Sequence, residues 1–266
     1  MLLDLFDRPS VLFLPASRAS AIAKARESAA DIVILDLEDA VKSEDKITAR
    51  ESAVAAVELA WPMPVAIRIN AVGSEWHADD LAAVRNAQCD FVVLPLVRDA
   101  HDVAEVAEST GKPVAAMIET AAGVIAAPEI AKVSAALIVG TNDLSADLRL
   151  PSATKRSSLQ AALQLAVISA RAAGVAVFDG VHNVLDDAPG FAAAAAEGRD
   201  LGFDGKSLIH PSQIALCRTA FAPAAAEVDR AERLIAAATG GAERFEGEMI
   251  ETMHVDAARR LLDRRT

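Results

Sequence analysis

Apolar residues along the chain fall in short runs, each closed by a polar or turn-forming residue, at 11–14, 32–35, 65–69, 91–94, 114–118, 136–139, 175–178 and 207–209. A run of this length without alternation reads as a strand buried on both faces. The segments between them, at 18–28, 44–59, 99–108, 122–131, 154–173 and 189–200, are rich in Ala, Leu, Glu, Lys and Arg and predict helices. Strand and helix therefore alternate, which calls for parallel strands joined by right-handed crossovers. Eight such repeats across 11–209 predict an α/β fold of the (β/α)8 TIM-barrel type. A doubly wound open sheet is the alternative, and against it stands the first loop, Pro15-Ala16-Ser17-Arg18, which lacks the glycines of a dinucleotide-binding turn.

The chain continues past the eighth strand, with helices expected from about 212, at 224–238 and at 253–262. That is more than a barrel needs. Gly240-Gly241 reads as a hinge, which divides the chain into a barrel at 1–241 and a C-terminal helical extension or lid at 242–266. Such a segment is either a mobile flap or an arm on a neighbouring subunit; an ordinary helix packed on the same barrel is the other reading.

Composition narrows the partners. A formal net charge of -12 and a pI near 4.9 leave no basic face for phosphate backbones, so neither nucleic acid nor an anionic membrane is an expected partner. No apolar stretch reaches the roughly 20 residues that span a bilayer, and the amino terminus, with Asp4 and Asp7, has no basic leader. Cys89 and Cys217 lack the spacing of a zinc or redox motif. A reduced, cytoplasmic setting and a soluble chain are expected.

The carboxyl ends of the expected strands carry the candidate chemistry: Asp36, Glu38 and Asp39, then Arg68 and Asn70, Glu119, Asn142 and Asp143, Asp179, and His210. In a barrel these ends form the rim that holds the active site. Carboxylates with one arginine suit a cation plus an anionic substrate, and oxygen-only ligands point to Mg2+ or Mn2+ rather than zinc. Capping of the following helices explains Asp39, Thr120, Asn142 or Asp143 taken singly, but capping needs one short side chain per helix and does not explain the whole set. Arg68, inside an apolar strand, must find a carboxylate or a ligand anion; an ion pair with Asp36 or Glu38 is its structural reading. His210 is expected to close its strand with local hydrogen bonds, His77, His101 and His254 to be solvated on helices, His182 to lie near the rim without a clear partner, and Cys89 to be a core residue.

Six strings now stand in order: Ser10-Val11-Leu12-Phe13-Leu14-Pro15; Leu35-Asp36-Leu37-Glu38-Asp39-Ala40-Val41 with Lys46 and Ala49-Arg50; Ile67-Arg68-Ile69-Asn70; Met117-Ile118-Glu119-Thr120 with Gly123; Gly140-Thr141-Asn142-Asp143-Leu144; and Gly202-Phe203-Asp204-Gly205-Lys206 with Ile209-His210-Pro211 and Gln213-Ile214. Together, and with Phe245-Glu246-Gly247-Glu248-Met249-Ile250-Glu251 near the end, the chain resembles the citrate lyase beta-subunit-like, malyl-CoA lyase (HpcH/HpaI aldolase) family over its whole length. The resemblance implies a Mg2+-dependent carbon-carbon lyase of 3-hydroxyacyl-CoA thioesters such as malyl-, citramalyl- or citryl-CoA, giving a 2-oxo acid and an acyl-CoA. It implies a homotrimer or a dimer of trimers. By position, Glu119 and Asp143 match the metal ligands, with Glu119 also facing substrate. Arg68 matches the catalytic arginine that binds substrate and the thioester enolate, and Asp36, Glu38 and Asp39 match residues behind the metal-bound waters. In relatives with a lid, an Asp after Met-Ile serves a neighbouring active site as acid/base, and Glu251 takes that place here.

The chain departs from the family pattern at Ala16, where Gly is common; at Leu96 and Arg98, which replace Lys and Glu; at Asn142, where an acid is frequent; and at Glu251. These changes bear on the acyl carrier and substrate more than on the reaction type. Two rival functions follow: an aldolase of free 4-hydroxy-2-oxo acids, and a non-catalytic subunit of a lyase complex.

Overall fold

A computed structural model of the chain describes residues 3–152 and 156–263. Eight strands, β1 (Ser10–Pro15), β2 (Ile32–Asp36), β3 (Val65–Arg68), β4 (Phe91–Leu94), β5 (Val114–Ile118), β6 (Ala136–Val139), β7 (Ala176–Asp179) and β8 (Gly205–Leu208), close into a parallel barrel in sequence order. The barrel closes where β1 pairs with β8, Val11 opposite Ser207. The fold is thus the expected TIM barrel.

Around the strands run α1 (Ala19–Arg26), α2 (Lys46–Val57), α3 (His77–Asn86), α4 (Ala100–Thr110), α5 (Ala121–Val133), α6 (Thr141–Asp147), α7 (Gln160–Ala173), α8 (Ala188–Leu201) and α9 (Gln213–Phe221). Asp99, Thr120 and Asp187 cap α4, α5 and α8 by accepting amide N–H groups of the first turn. The short α6 lies outside the helices predicted above, whereas the helix expected at His77 is α3. The helix predicted at 154–173 becomes a 3-10 turn at Arg156–Leu159 followed by α7, with 153–155 outside the described residues.

The two-residue period of each strand sorts its side chains into an inner and an outer set. Val11, Ile32, Ile34, Ala66, Phe91, Val93, Ala115, Met117, Ala136, Ile138, Ala176 and Phe178 fill the barrel interior. Continuing the same parity one step toward the carboxyl ends reaches Asp36 above Ile34, Arg68 above Ala66 and Glu119 above Met117. The chemistry is therefore the top layer of the packed core. Asp179 has the opposite parity, next to inward Phe178, and belongs to the helix layer: it bonds Lys206 Nζ at 2.7 Å and Arg156 at 2.7 Å and packs beside Gly198 of α8. Its expected place among the rim acids is wrong, because ending a strand does not fix the face.

By packing, the chain divides into 1–220 and 221–266. The second unit holds α10 (Ala225–Ala237), a two-stranded antiparallel hairpin of β9 (Glu243–Phe245) and β10 (Glu248–Ile250), and α11 (Thr252–Asp263). Ala231, Leu234, Phe245, Ile250 and Ala258 form its own small core. The hairpin loop Glu246-Gly247 has φ of 47° and 92°, the paired positive values of a type I′ turn. Arg230 and Arg233 of α10 tie the hairpin down through Glu248 at 2.6 Å and Glu246 at 2.9 Å. The sequence predicts the helices but not this hairpin, whose strands are too short to show alternation. The packing division precedes Gly240-Gly241 because α10 shares a core with α11. Among the described residues no helix is long and apolar enough to cross a membrane.

Candidate active site

Arg68 is 8 % exposed and organises one side of the rim. Its Nε and Nη2 each donate at 2.6 Å to the two oxygens of Asp36, a bidentate pair, while Nη1 lies 2.8 Å from Glu38 Oε2 and 4.0 Å from Asp39 Oδ2. The guanidinium also stands over the Phe13 ring at 5.4 Å, and Nη1 approaches Met117 Sδ at 3.7 Å. Burial alone would lower the Arg68 pKa, but Asp36 and Glu38 outweigh it and hold the side chain charged. Asp36 additionally accepts the amides of Glu38 at 2.9 Å and Ala40 at 3.0 Å, so one carboxylate both folds the loop after β2 and aims the arginine. Burial pushes Glu38 up to about 8 despite Arg68, with Asp39 and Asp36 adding to the rise.

Glu119, 2 % exposed, extends from β5. Its Oε1 accepts the Leu96 amide at 2.7 Å, and Leu96 adopts a left-handed φ of 51° to present that amide. Oε2 is buried without a hydrogen-bond partner among the described residues. Burial raises Glu119 to about 7, opposed by the Leu96 amide and Arg68 and reinforced by Asp143 and Asp39. Gly140 after β6 makes room: a Cβ there would stand 2.0 Å from Glu119 Oε2. Asp143, in the first turn of α6, is also raised, by burial first and then by Asp39. Beside it Asn142 and Asn183 form a reciprocal amide pair at 2.7 and 3.3 Å.

These groups meet in one cavity of about 310 Å3 whose lining includes Asp36, Asp39, Arg68, Glu119 and Asp143. Phe13, Leu14, Val139, Val181 and Ile209 supply its apolar wall, and the buried Ser207 hydroxyl, unpartnered, adds a polar point. Among the described residues no group of three His, Cys, Asp or Glu side chains forms a ready metal cage. A hard octahedral cation needs none: Mg2+ keeps several waters and takes one or two carboxylates. The unpartnered Glu119 Oε2, with Asp143 across the same cavity, fits such an ion, which would relieve both carboxylates of their unfavourable burial.

Of the sequence candidates, Asp36, Glu38, Asp39, Arg68, Glu119 and Asp143 are brought together. Glu251 lies in the second unit, between β10 and α11, where its amide donates to His254 Nδ1 at 2.9 Å. The structural reading of Arg68 holds, because its ion pairs with Asp36 and Glu38 are both present. Capping explains Thr120, whose hydroxyl accepts the Gly123 amide at 2.9 Å, but not Asp143. His210 bonds Ser212 at 2.8 Å, the expected local role. Asn70 turns from the cavity to Asp80 and Lys46, and His77, expected in solvent, bonds the Asn70 carbonyl at 2.8 Å. The sequence assigns no role to Ser207 or Asn183, nor to the Leu96 amide, since a pairing across 41 residues leaves no local signal.

A family model described as HpcH/HpaI aldolase/citrate lyase matches residues 9–211. The chain belongs to this family. It is 39% identical over 264 residues, 95% of this chain and 93% of the relative, to a (3S)-malyl-CoA thioesterase of Cereibacter sphaeroides. It is 34% identical over 282 residues, 97% of this chain and 93% of the relative, to the citrate lyase subunit beta of Escherichia coli. Among solved structures it resembles CitE of Mycobacterium tuberculosis in complex with magnesium, acetoacetate and coenzyme A, with a TM-score of 0.88, 34% identity and 97% of each chain covered.

Proposed function

We propose that the protein is a Mg2+-dependent carbon-carbon lyase that cleaves or forms a short 3-hydroxyacyl-CoA thioester, of the malyl, citramalyl or citryl type, yielding a 2-oxo acid and an acyl-CoA. The observation that carries this reading is the meeting of Arg68, Glu119 with its unpartnered oxygen, and Asp143 in one cavity. Magnesium and coenzyme A bound to the similar CitE protein support it. Glu119 and Asp143 would hold the Mg2+, or Mn2+ in its place, which supplies a Lewis acid and template for the oxo acid.

The chain's own residues do the rest. Arg68 has five N–H groups: Asp36 and Glu38 engage three of them and Nη1 also lies against Met117 Sδ, which leaves one on Nη2 for a substrate oxygen and a weak thioether contact on Nη1 that a substrate oxygen can displace. As the carbon-carbon bond breaks, negative charge moves onto the thioester oxygen, and a fixed guanidinium in a water-poor cavity stabilises it. Asp36 and Glu38 prevent the guanidinium from rotating away, and Asp39 stands by to bond water around the cation. Glu251 would carry the proton at the acyl alpha carbon. On the family pattern the assembly is a homotrimer or dimer of trimers working in the cytoplasm.

Thioester hydrolysis is the second reading, favoured by the 39% identity to a malyl-CoA thioesterase. There water adds to the acyl carbon and the carbon-sulfur bond breaks. One incubation with Mg2+ and malyl-CoA separates the two: the lyase yields glyoxylate and acetyl-CoA with no free thiol, the thioesterase yields malate and one thiol per turnover. Failure to turn over malyl-, citramalyl- and citryl-CoA alike would remove both readings and favour an aldolase of free 4-hydroxy-2-oxo acids or a non-catalytic subunit.

A further inference from the structure

Lys46 opens α2, buried at 8 % exposure, where two effects oppose its charge. The amino end of a helix carries positive partial charge, and burial disfavours the ammonium and lowers its pKa. Its three N–H groups are nonetheless all used, on the Leu37 carbonyl, the Glu38 carbonyl and Asn70 Oδ1, each at 2.7 Å. Three donors converge on three acceptors, which suits a tetrahedral ammonium and not a planar guanidinium. The acceptors are themselves fixed. Asn70 donates its backbone and side-chain N–H groups to Asp80 Oδ2 at 2.9 and 2.6 Å, and Asp80 Oδ1 takes Arg50 Nε at 2.6 Å. Two of the three acceptors are thus backbone oxygens of the loop from which the Glu38 side chain reaches Arg68 Nη1 at 2.8 Å.

We infer that Lys46 is a positioning residue of the site: it fixes the loop after β2 so that Glu38 locks a third N–H of Arg68 and holds the guanidinium in the cavity wall. A helix-to-loop staple serving stability alone would need one carbonyl, and it would not end on the residue that orients the arginine. The inference rests on the proposed thioester chemistry for its kinetic consequence, but not for its structural one.

The test takes the full-length chain with Lys46→Met, Asn70→Ala as a milder variant should the first fail to fold, Glu38→Gln, and the Lys46→Met/Glu38→Gln double variant. Amide hydrogen exchange is read at Leu37–Val41, and kcat and KM are read on whichever acyl-CoA the wild type turns over. The expected result is exchange at 37–41 accelerated at least tenfold with the other barrel strands unchanged. With it, kcat should fall tenfold or more at nearly constant KM, with little further loss when Lys46→Met is added to Glu38→Gln. Lys46→Arg should not rescue. Unchanged exchange at 37–41 overturns the inference whatever the kinetics. So does a Lys46→Met effect on kcat that is undiminished in the Glu38→Gln background. A wild type inactive on every thioester would defeat the proposed function while leaving the exchange result to decide on Lys46.

Discussion

Two carboxylates in this site hold protons that an exposed carboxylate would lose, and the consequence is a pH dependence of unusual sign. Burial raises Glu119 from 4.5 to about 7. Between those values the folded chain binds more protons than the unfolded one, so the metal-free protein loses stability as pH rises through the window, and Glu38 extends the loss toward 8. Mg2+ competes with the same proton, so its affinity should rise with pH up to about 7. Melting temperatures at pH 5 and pH 8, with and without Mg2+, check this; a magnesium-induced shift that is equal at both would refute it. Glu119→Gln should weaken Mn2+ binding by at least about tenfold in titration calorimetry without unfolding the barrel, since even outer partners of a metal site matter that much. Arg68 makes a different demand. Lysine cannot span both Asp36 oxygens, so Arg68→Lys should lower kcat by about 100-fold or more, the size of a lost oxyanion donor, with a much smaller rise in KM. An unchanged kcat would leave Arg68 as an ion-pair partner only. Arg68→Met, which strands the buried Asp36 charge, should cost about 3–5 kcal/mol in urea unfolding.

Elements carry the site because strand parity lifts its residues to one layer, and this is also what makes it legible in the sequence. Short apolar runs mark the barrel strands, though β8, Gly205–Leu208, shares only Ser207 and Leu208 with its run, and the polar residues at and just past their carboxyl ends include Asp36, Arg68, Glu119 and Asp143. The same pattern misplaces Asp179, because the first polar residue after a run lies inside or outside according to its parity, and Phe178 already takes the inner face. The short α6 and the hairpin of β9 and β10 escape for want of periodicity. The roles of Lys46, Asp80 and Asn183 depend on partners distant in sequence, which no local pattern encodes. Gly140 belongs to this scale too. It joins β6 to α6 and lies so close to Glu119 that a methyl group would collide with Oε2. Gly140→Ala should therefore displace the Glu119 carboxylate and abolish Mn2+ binding while far-ultraviolet circular dichroism stays that of the folded barrel. Retained affinity would show that Oε2 is not the metal-facing oxygen.

At the scale of the molecule, the unit at 221–266 has its own core, and the residue proposed to move the proton, Glu251, lies in it. The barrel cavity supplies an arginine and the carboxylates proposed to hold the metal, and Asp36 and Glu38 are committed to Arg68. A general base must come within about 3 Å of its proton, directly or through one water, so the role proposed for Glu251 requires its unit to reach a cavity of this or another chain. Cutting after Gly241 would strip α11 and the hairpin from the core they share with Leu234 and leave α10 exposed, so the informative truncation ends at Ala220. That 1–220 chain should remain folded and bind Mn2+, yet fail to exchange acyl alpha protons with deuterated solvent. Full-length Glu251→Gln should show the same loss with its second unit intact. If the arm serves a neighbouring subunit, chains carrying Glu251→Gln mixed with chains carrying Arg68→Lys should regain turnover that neither has alone, since some sites then pair an intact Arg68 with an intact Glu251. Mixing without recovery, alongside exchange lost in both single variants, would instead place the arm and the cavity it serves on one chain. Full-rate exchange by the 1–220 chain would remove Glu251 as the base.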